Sequence, residues 1–271
     1  METKVVYAVI GIIMLCVGFA GGYLTTRFLL PPTGGTLLAT IQDRGYMIVG
    51  TSADYPPFEF INETTHEISG FDVEVANAIG EELGVEVQWQ DMDFDALIAA
   101  CKGGQIDMIA AGMSLKPDRM DQLDYTISVF TSERVVVVSA SSSVEVLDSL
   151  ADMGTLDLQI GVQSGTVQAD QIQDLVDAGD VDPAKVSEYP KVDLMVLDLD
   201  AGRLDAVYIE KGPADAFGKQ YPLRYVYSEK AFPEAFWVRK NEPEFRDAVN
   251  KAIWKLLTEE IIDDLIVKWF G

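Results

Sequence analysis

The chain has 271 residues, enough for one large or two smaller domains, and 48% of them are hydrophobic, so it can bury a substantial core. Acidic residues outnumber basic ones by 44 to 20, and the resulting net charge of −24 disfavours a nucleic-acid partner. The two cysteines, Cys16 and Cys101, are far apart, and the single histidine, His66, lies in a polar run. We therefore predict no disulfide, no metal site and no other cofactor.

An apolar segment opens the chain. Residues 5–26 carry no charge and are long enough for about one bilayer crossing. Two interpretations stay open: an uncleaved signal anchor, which the length favours, and a secretory signal cleaved near the small residues Gly18 and Ala20. Both place the rest of the chain outside the cytoplasm. We assign residues 1–36 to this membrane or signal segment and a short linker, "PPTGGT".

Short β-rich runs alternate with segments of helical period from Tyr46 onward. The first set has strands at 47–52, 85–89 and 106–112, with helices at 70–84 and 94–104 between them. The second set has strands at 133–140, 158–162, 186–189 and 204–210, with helices after "SGT" and at 192–202. Strands separated by helices predict α/β lobes, each with a mainly parallel sheet flanked by helices.

Two smaller features bear on this architecture. The stretches "CKGGQIDMIAAG" and "LDAGRLDAVYIE" share a pattern of helix, glycine-containing turn and apolar strand. Two explanations stay open: chance, and a chain with two similar lobes. Residues 243–271 predict two more helices. Five of their apolar side chains are spaced to face the core: Trp254, Leu257, Ile261, Leu265 and Trp269.

Polar and aromatic side chains follow the predicted strands, and ligands of open α/β sheets bind beyond the carboxyl ends of the strands. The loops are "TSADYPPFEF" after the first strand, "AGMSLKPDR" after the third, "QSGTVQ" after the "LQIGV" strand and Glu210 after "LDAVYI". Together they would suit a zwitterion. Arg119 can hold a carboxylate through two parallel hydrogen bonds, and Glu210 can pair with an ammonium group.

Further groups would complete such a site. Ser114 and Thr166 offer hydroxyls, and the N–H groups of Thr166 and Val167 at a helix start favour an anion. Tyr55 and Phe94 can flank an apolar stem. Each residue also has an ordinary interpretation, since "SGT" before a helix is typically an N-cap and Glu210 next to Lys211 can form a surface ion pair. Their shared position at strand ends favours the functional interpretation.

The chain resembles the amino-acid-binding solute-binding proteins of ABC importers, family 3, whose two lobes are joined by a two-stranded hinge (the periplasmic-binding-protein type II fold). The resemblance covers residues 37–271, with agreement in order and spacing. The matching motifs are "VGTSADYPPFEF", "SGFDVEVANAIGEEL", "FDALIAACKGGQIDMIAAGMSLKPDR", "IGVQSGT" and "AGRLDAVYIE".

The resemblance implies roles for most of the residues above. Arg119 and Ser114 would hold the ligand carboxylate with backbone help at Thr166 and Val167. The backbone near Gly112 and the Glu210 carboxylate would hold the amino group. The candidate set is Ser52, Asp54, Tyr55, Phe94, Ala111, Gly112, Ser114, Arg119, Ser164, Thr166, Val167 and Glu210.

Three departures from the family pattern concern the ligand's side chain. Glu210 stands where an Asp is common, and Val167 stands where many members have Thr. Ser52 stands where an Asp is common, and the acid lies two places on, at Asp54. Ser52, Asp54 and Gln168 favour a polar or cationic amino acid as ligand.

The same resemblance sets the lobe boundaries and the partners. Lobe 1 would hold residues 37–132 and 235–271, and lobe 2 residues 133–234. We expect a monomer whose closed form is recognised by an ABC importer permease. Two alternatives are an enzyme similar to cyclohexadienyl dehydratase and a ligand-binding sensor. We expect no enzyme, because those enzymes carry their catalytic acid a few residues beyond position 210, where this chain has Pro213; "KWFG" at the end argues against a sensor.

Overall fold

The computed structural model describes residues 35–271. The predicted anchor or signal segment at residues 5–26 lies outside the described residues. Within residues 35–271, no helix combines the length and the apolar character that a bilayer crossing requires.

Thirteen strands and ten α-helices form the described part of the chain. The strands are β1 Tyr46–Thr51, β2 Asp54–Tyr55, β3 Glu59–Ile61, β4 Ile68–Ser69, β5 Glu86–Asp91, β6 Met108–Ile109, β7 Leu123–Tyr125, β8 Phe130–Ser139, β9 Ile160–Gln163, β10 Val186–Tyr189, β11 Ala206–Glu210, β12 Leu223–Glu234 and β13 Trp237–Arg239. The helices are α1 Leu37–Arg44, α2 Phe71–Leu83, α3 Leu97–Gly103, α4 Pro117–Met120, α5 Asp152–Thr155, α6 Val167–Ala178, α7 Val192–Asp200, α8 Lys211–Gly218, α9 Pro243–Thr258 and α10 Ile261–Phe270. Two 3₁₀ turns lie at Phe94–Ala96 and Pro183–Lys185.

Two five-stranded sheets define the two lobes. The first has the order β5-β1-β6-β13-β7 and the second the order β10-β9-β11-β8-β12. In the first sheet β13 alone runs antiparallel to its neighbours, and in the second sheet β8 does. The predicted fold of two lobes with mainly parallel sheets is confirmed. A smaller antiparallel sheet, β2-β3-β4, belongs to the first lobe by sequence.

Helix α2 illustrates how the sequence forms these elements. Its side chains at Phe71, Val75 and Ile79 follow the helical period and are fully buried, so one face of the helix packs on the sheet. The helix ends at Gly84, whose φ of 72° is accessible to glycine at little cost.

The C-terminal helices pack as predicted except at one residue. Leu257, Ile261, Leu265 and Trp269 pack against the core, but the side chain of Trp254 is 62% exposed. The buried face of α9 is formed by Phe245, Val249, Ala252, Ile253 and Leu256. Position 254 therefore lies just outside the apolar stripe, and the prediction for Trp254 was wrong.

Two antiparallel segments carry the chain between the lobes. Strands β8 and β12 pair along their length, with Glu133 opposite Lys230 and Phe130 opposite Glu234, and the register shifts between Lys230 and Pro233. At the same end, Ser114 of the first lobe forms a β-bridge with Glu234. The joining segments are thus tied to the loop that contains the predicted carboxylate-binding residues.

Candidate amino-acid-binding site

A narrow cavity lies between the two lobes at the carboxyl ends of their strands, which is where open α/β sheets bind ligands. Ten residues of the predicted set lie on its wall: Ser52, Tyr55, Phe94, Ala111, Gly112, Ser114, Arg119, Thr166, Val167 and Glu210. Three further wall residues lie outside the predicted set: Glu59, Gln163 and Gln168.

Arg119 is held firmly on the first-lobe side of the cavity. It lies on the short helix α4, which Pro117 starts, and its side chain is buried. One guanidinium nitrogen donates to Ser114 O at 2.8 Å, and the other donates to Gly165 O of the second lobe at 2.9 Å. Burial lowers the pKa of Arg119 to about 10, so the group stays charged at neutral pH. Its guanidinium carbon lies 5.5 Å from the centre of the Phe94 ring.

Glu210 supplies an acid from the second lobe. It is the last residue of β11 and is buried. Burial raises the pKa of its carboxyl to about 8, because a low-dielectric environment disfavours the charged form. Its backbone N–H donates to the Tyr55 hydroxyl at 3.4 Å, so the acid and the aromatic wall of the first lobe meet at this point.

Thr166 and Gly112 contribute backbone rather than side-chain chemistry. The Thr166 hydroxyl donates to Gln163 O at 2.7 Å and accepts from Ala169 N–H at 3.1 Å, so it caps α6. The first backbone N–H groups of α6 have no partner within the helix, so they can donate hydrogen bonds to an anion. Gly112 has a φ of 52°, and a Cβ there would lie 3.2 Å from the Tyr55 ring.

Two residues of the predicted set lie off the cavity wall. Asp54 is buried, but its carboxylate accepts from the Ser52 hydroxyl at 2.6 Å and from the Val192 N–H of the second lobe. Ser164 donates its N–H to Tyr189 O at 2.9 Å, at the edge of the second sheet. Neither residue lines the cavity: Asp54, whose reach to the ligand the sequence left open, bonds to the other lobe, and Ser164 pairs with a neighbouring strand.

Glu59 is the wall residue of most chemical interest that the sequence analysis missed. It lies on β3, is fully buried, and neither carboxylate oxygen has a hydrogen-bond partner among residues 35–271. Burial, with the nearby acids Asp72 and Asp54, raises its pKa well above the ordinary value. Its signal in the sequence is an acid between two aromatic residues, Phe58 and Phe60.

Two more buried acids lie behind the wall. The Asp72 carboxylate accepts from Gly112 N–H at 2.8 Å, and burial raises its pKa to about 7. Glu234, at the end of β12, is buried with both carboxylate oxygens unpartnered among the described residues. Burial and the neighbouring Glu210 and Asp72 raise its pKa well above the ordinary value, although Arg134 opposes this.

These raised pKa values predict how stability depends on pH. The folded chain holds these protons to a higher pH than the unfolded chain does, so the free energy of unfolding falls as the pH rises from about 5 to 8. Each group that is protonated only in the folded state lowers the free energy of unfolding by about 1.4 kcal/mol for each unit of rising pH. Thermal unfolding without added amino acid should show a lower Tm at pH 8 than at pH 5, and Glu234→Gln should reduce the slope. A Tm that rises with pH would contradict this.

Comparison with known proteins identifies the family. The family of bacterial extracellular solute-binding proteins, family 3, matches residues 47–271, and the chain belongs to it. The arginine-binding extracellular protein ArtP of Bacillus subtilis (strain 168) is 30% identical over 249 residues, which cover 90% of this chain and 93% of ArtP.

Two solved structures share the fold over most of the chain. The amino acid ABC transporter substrate-binding protein AbpA of Streptococcus pneumoniae, bound to L-arginine, is 27% identical with a TM-score of 0.77 and covers 86% of this chain and 97% of its own. The ancestral amino acid-binding protein AncCDT-1, a precursor of cyclohexadienyl dehydratase, is 26% identical with a TM-score of 0.78 and covers 88% and 100%. The predicted function, extracytoplasmic capture of an amino acid for an ABC importer, is confirmed at the level of the family.

Proposed function

We propose that this chain captures a cationic amino acid between its two lobes and that the permease of the importer recognises the closed form. Among the described residues on the cavity wall, the basic and acidic side chains are those of Arg119, Glu59 and Glu210. One wall cation and two wall acids complement a ligand with one anion and two cations. Lysine, ornithine and arginine have this charge pattern, whereas neutral amino acids leave one buried acid unpaired.

The observation that carries the proposal is the environment of Glu59. A fully buried carboxyl without a hydrogen-bond partner among residues 35–271 is costly, and a ligand cation would satisfy it. In this arrangement Arg119 and the start of α6 hold the carboxylate, Glu210 holds the amino group, and Glu59 pairs with the side-chain cation. The arginine-binding relative ArtP is consistent with this assignment.

Calorimetric titration of the purified chain against the standard amino acids tests the proposal. Arginine or lysine should bind most tightly, and glutamine, whose side chain is neutral, should bind at least about 30-fold more weakly, because it cannot form the charge pair with Glu59 and losing one partner of a buried charge pair costs about 2–5 kcal/mol. Equal affinity for glutamine and arginine would refute the cationic assignment, yet leave amino-acid capture intact.

Glu59→Gln should separate the side-chain contact from the zwitterion contacts. The variant keeps the shape of the side chain and removes its charge, so we expect arginine and lysine affinity to fall about 30-fold or more while glutamine affinity changes less than about threefold. Glu63→Gln is a matched control, because Glu63 is an exposed acid that follows the same strand. An equal loss for all amino acids would contradict the role of Glu59.

We further propose that the chain has no catalytic activity. Position 213, near which a dehydratase-like acid would be expected, holds a buried proline at the start of α8. Incubation with prephenate or arogenate tests this point, and measurable turnover would refute it.

The remaining assignments concern organisation and location. We propose a monomer with lobe 1 at residues 37–132 and 235–271 and lobe 2 at residues 133–234. Residues 5–26 either anchor the chain to the membrane or serve as a cleaved signal. A mass measurement on the native protein distinguishes the two, because only cleavage removes the apolar segment.

A further inference from the structure

A second set of contacts, centred on a lysine, joins the lobes beside the cavity and includes one residue of its wall, Ser52. Lys191 of the second lobe immediately precedes α7, and its ammonium lies 3.0 Å from Asp91 Oδ1 and 3.5 Å from Asp54 Oδ1 in the first lobe. The same ammonium lies 3.3 Å from Ser52 Oγ and 3.5 Å from Met92 O. These four partners belong to the first lobe, so the Lys191 ammonium forms polar contacts across the cleft.

Asp54 makes the reciprocal contact from the first lobe. Helix α7 begins at Val192 with no side-chain cap of its own, and the Asp54 carboxylate accepts from the Val192 N–H. An anion at a helix N-terminus is favourable because it satisfies a free N–H group and complements the helix dipole. The other carboxylate oxygen accepts from the Ser52 hydroxyl at 2.6 Å. Asp54 therefore caps a helix of the opposite lobe.

Neither charged residue lies on the cavity wall. The Asp54 side chain is buried, and burial raises its pKa, while the bonds from Ser52 and Val192 and the charge of Lys191 oppose that rise. A carboxylate buried at a lobe contact loses its water only while the lobes are together. Its bonds to Lys191 and Val192 join the two lobes, so separating the lobes would break them.

We propose that Asp54 and Lys191 form a cross-lobe clasp that stabilises the closed form and slows ligand release without touching the ligand. The clasp rests on the proposed capture between closing lobes. Asp54 and Lys191 are therefore positioning residues, which act on the equilibrium between the open and closed forms. The residues of the cavity wall determine which amino acid binds.

The test is Lys191→Met, which keeps most of the aliphatic stem and removes the charge. Dissociation of L-arginine, followed by stopped-flow competition on the full chain, should be about tenfold faster. The association rate should change less than about threefold, and the ratio of arginine to lysine affinity should stay constant. Asp54→Asn should also accelerate release, and the double variant should show less than the sum of the two effects because the residues act together.

Lys185→Met is the matched control. Lys185 pairs with Asp157 at 2.7 Å within the second lobe, and its side chain is 24% exposed against 21% for Lys191. This variant should leave L-arginine release unchanged. A changed amino-acid preference in Lys191→Met would indicate direct ligand contact and overturn the clasp, as would an unchanged release rate.

A distance measurement keeps the test independent of the identity of the ligand. Spin labels at the exposed positions Glu63 and Glu145, one on each lobe, report the populations of open and closed forms. Lys191→Met should lower the closed population, with and without L-arginine, and an unchanged distribution would overturn the clasp. If L-arginine fails to bind the unaltered chain, the cationic assignment fails, while this measurement still decides the clasp.

Discussion

Arg119→Ala should weaken the binding of all amino acids by about 30- to 3,000-fold. The guanidinium is buried on the cavity wall and is positioned by bonds to Ser114 O and Gly165 O. Truncating one partner of a buried charge pair costs about 2–5 kcal/mol, and each 1.4 kcal/mol is a tenfold change in affinity. Because every amino acid carries the same carboxylate, the loss should be nearly uniform in a calorimetric panel.

Two companion variants make this result interpretable. Arg119→Lys keeps the charge but loses the planar pair of donors, so it should bind with intermediate affinity. Arg246→Ala removes an arginine that pairs with Asp247 on α9, away from the cavity, and should bind normally. Circular dichroism and thermal unfolding of Arg119→Ala are needed to check that the variant is folded. A folded variant with normal affinity would refute the proposed role of Arg119.

Glu210→Gln should weaken amino-acid binding by a similar factor. It should also remove a pH dependence of the affinity that the Arg119 variants retain. Burial raises the pKa of Glu210 to about 8, so an incoming ammonium group must displace a proton at neutral pH. Affinity should therefore rise with pH from about 6 to 8, by at most about tenfold per unit for one released proton. Calorimetry in buffers of different ionisation enthalpy measures that proton, and Glu210→Gln should abolish its share of the release.

The controls for Glu210 come from the same region of the chain. Glu210→Asp keeps the acid on a side chain that is one methylene shorter, so it should retain much of the affinity. Asp215→Asn removes an exposed acid that pairs with Lys211 on α8, and it should leave binding and proton release unchanged. Full affinity in Glu210→Gln, or proton release equal to that of the unaltered chain, would exclude Glu210 as the partner of the amino group.

The sequence predicted the parts of the site that depend on strand ends. Tyr55 and Arg119 lie in the segments that follow β1 and β6, Glu210 is the last residue of β11, and the carboxyl ends of parallel strands meet at one edge of a sheet. Alternation of apolar runs and helical segments was enough to locate those ends. The resemblance to a known family then indicated that the two sheet edges face each other across one cleft. Local sequence patterns do not contain this information.

The contacts that sequence analysis missed depend on long-range geometry. Asp54 meets the Val192 N–H, 138 residues away in the sequence, so its role required the relative position of the lobes. Glu59 lies on the cavity wall because β2, β3 and β4 fold into a small sheet whose register is set by pairing. Trp254 shows the limit of periodicity, since a shift of one position around α9 exchanges a buried side chain for an exposed one.

The two sheets share one arrangement, five strands of which the fourth alone runs antiparallel to its neighbours, and this likeness has an evolutionary consequence. Because each lobe presents its strand ends to the cleft, the cavity wall consists mostly of strand ends and of the loops and helical turns next to them. Substitutions in those loops can alter which nutrient is imported while the scaffold remains intact. A protein of this kind can change its ligand through few substitutions, and each variant along the way still folds.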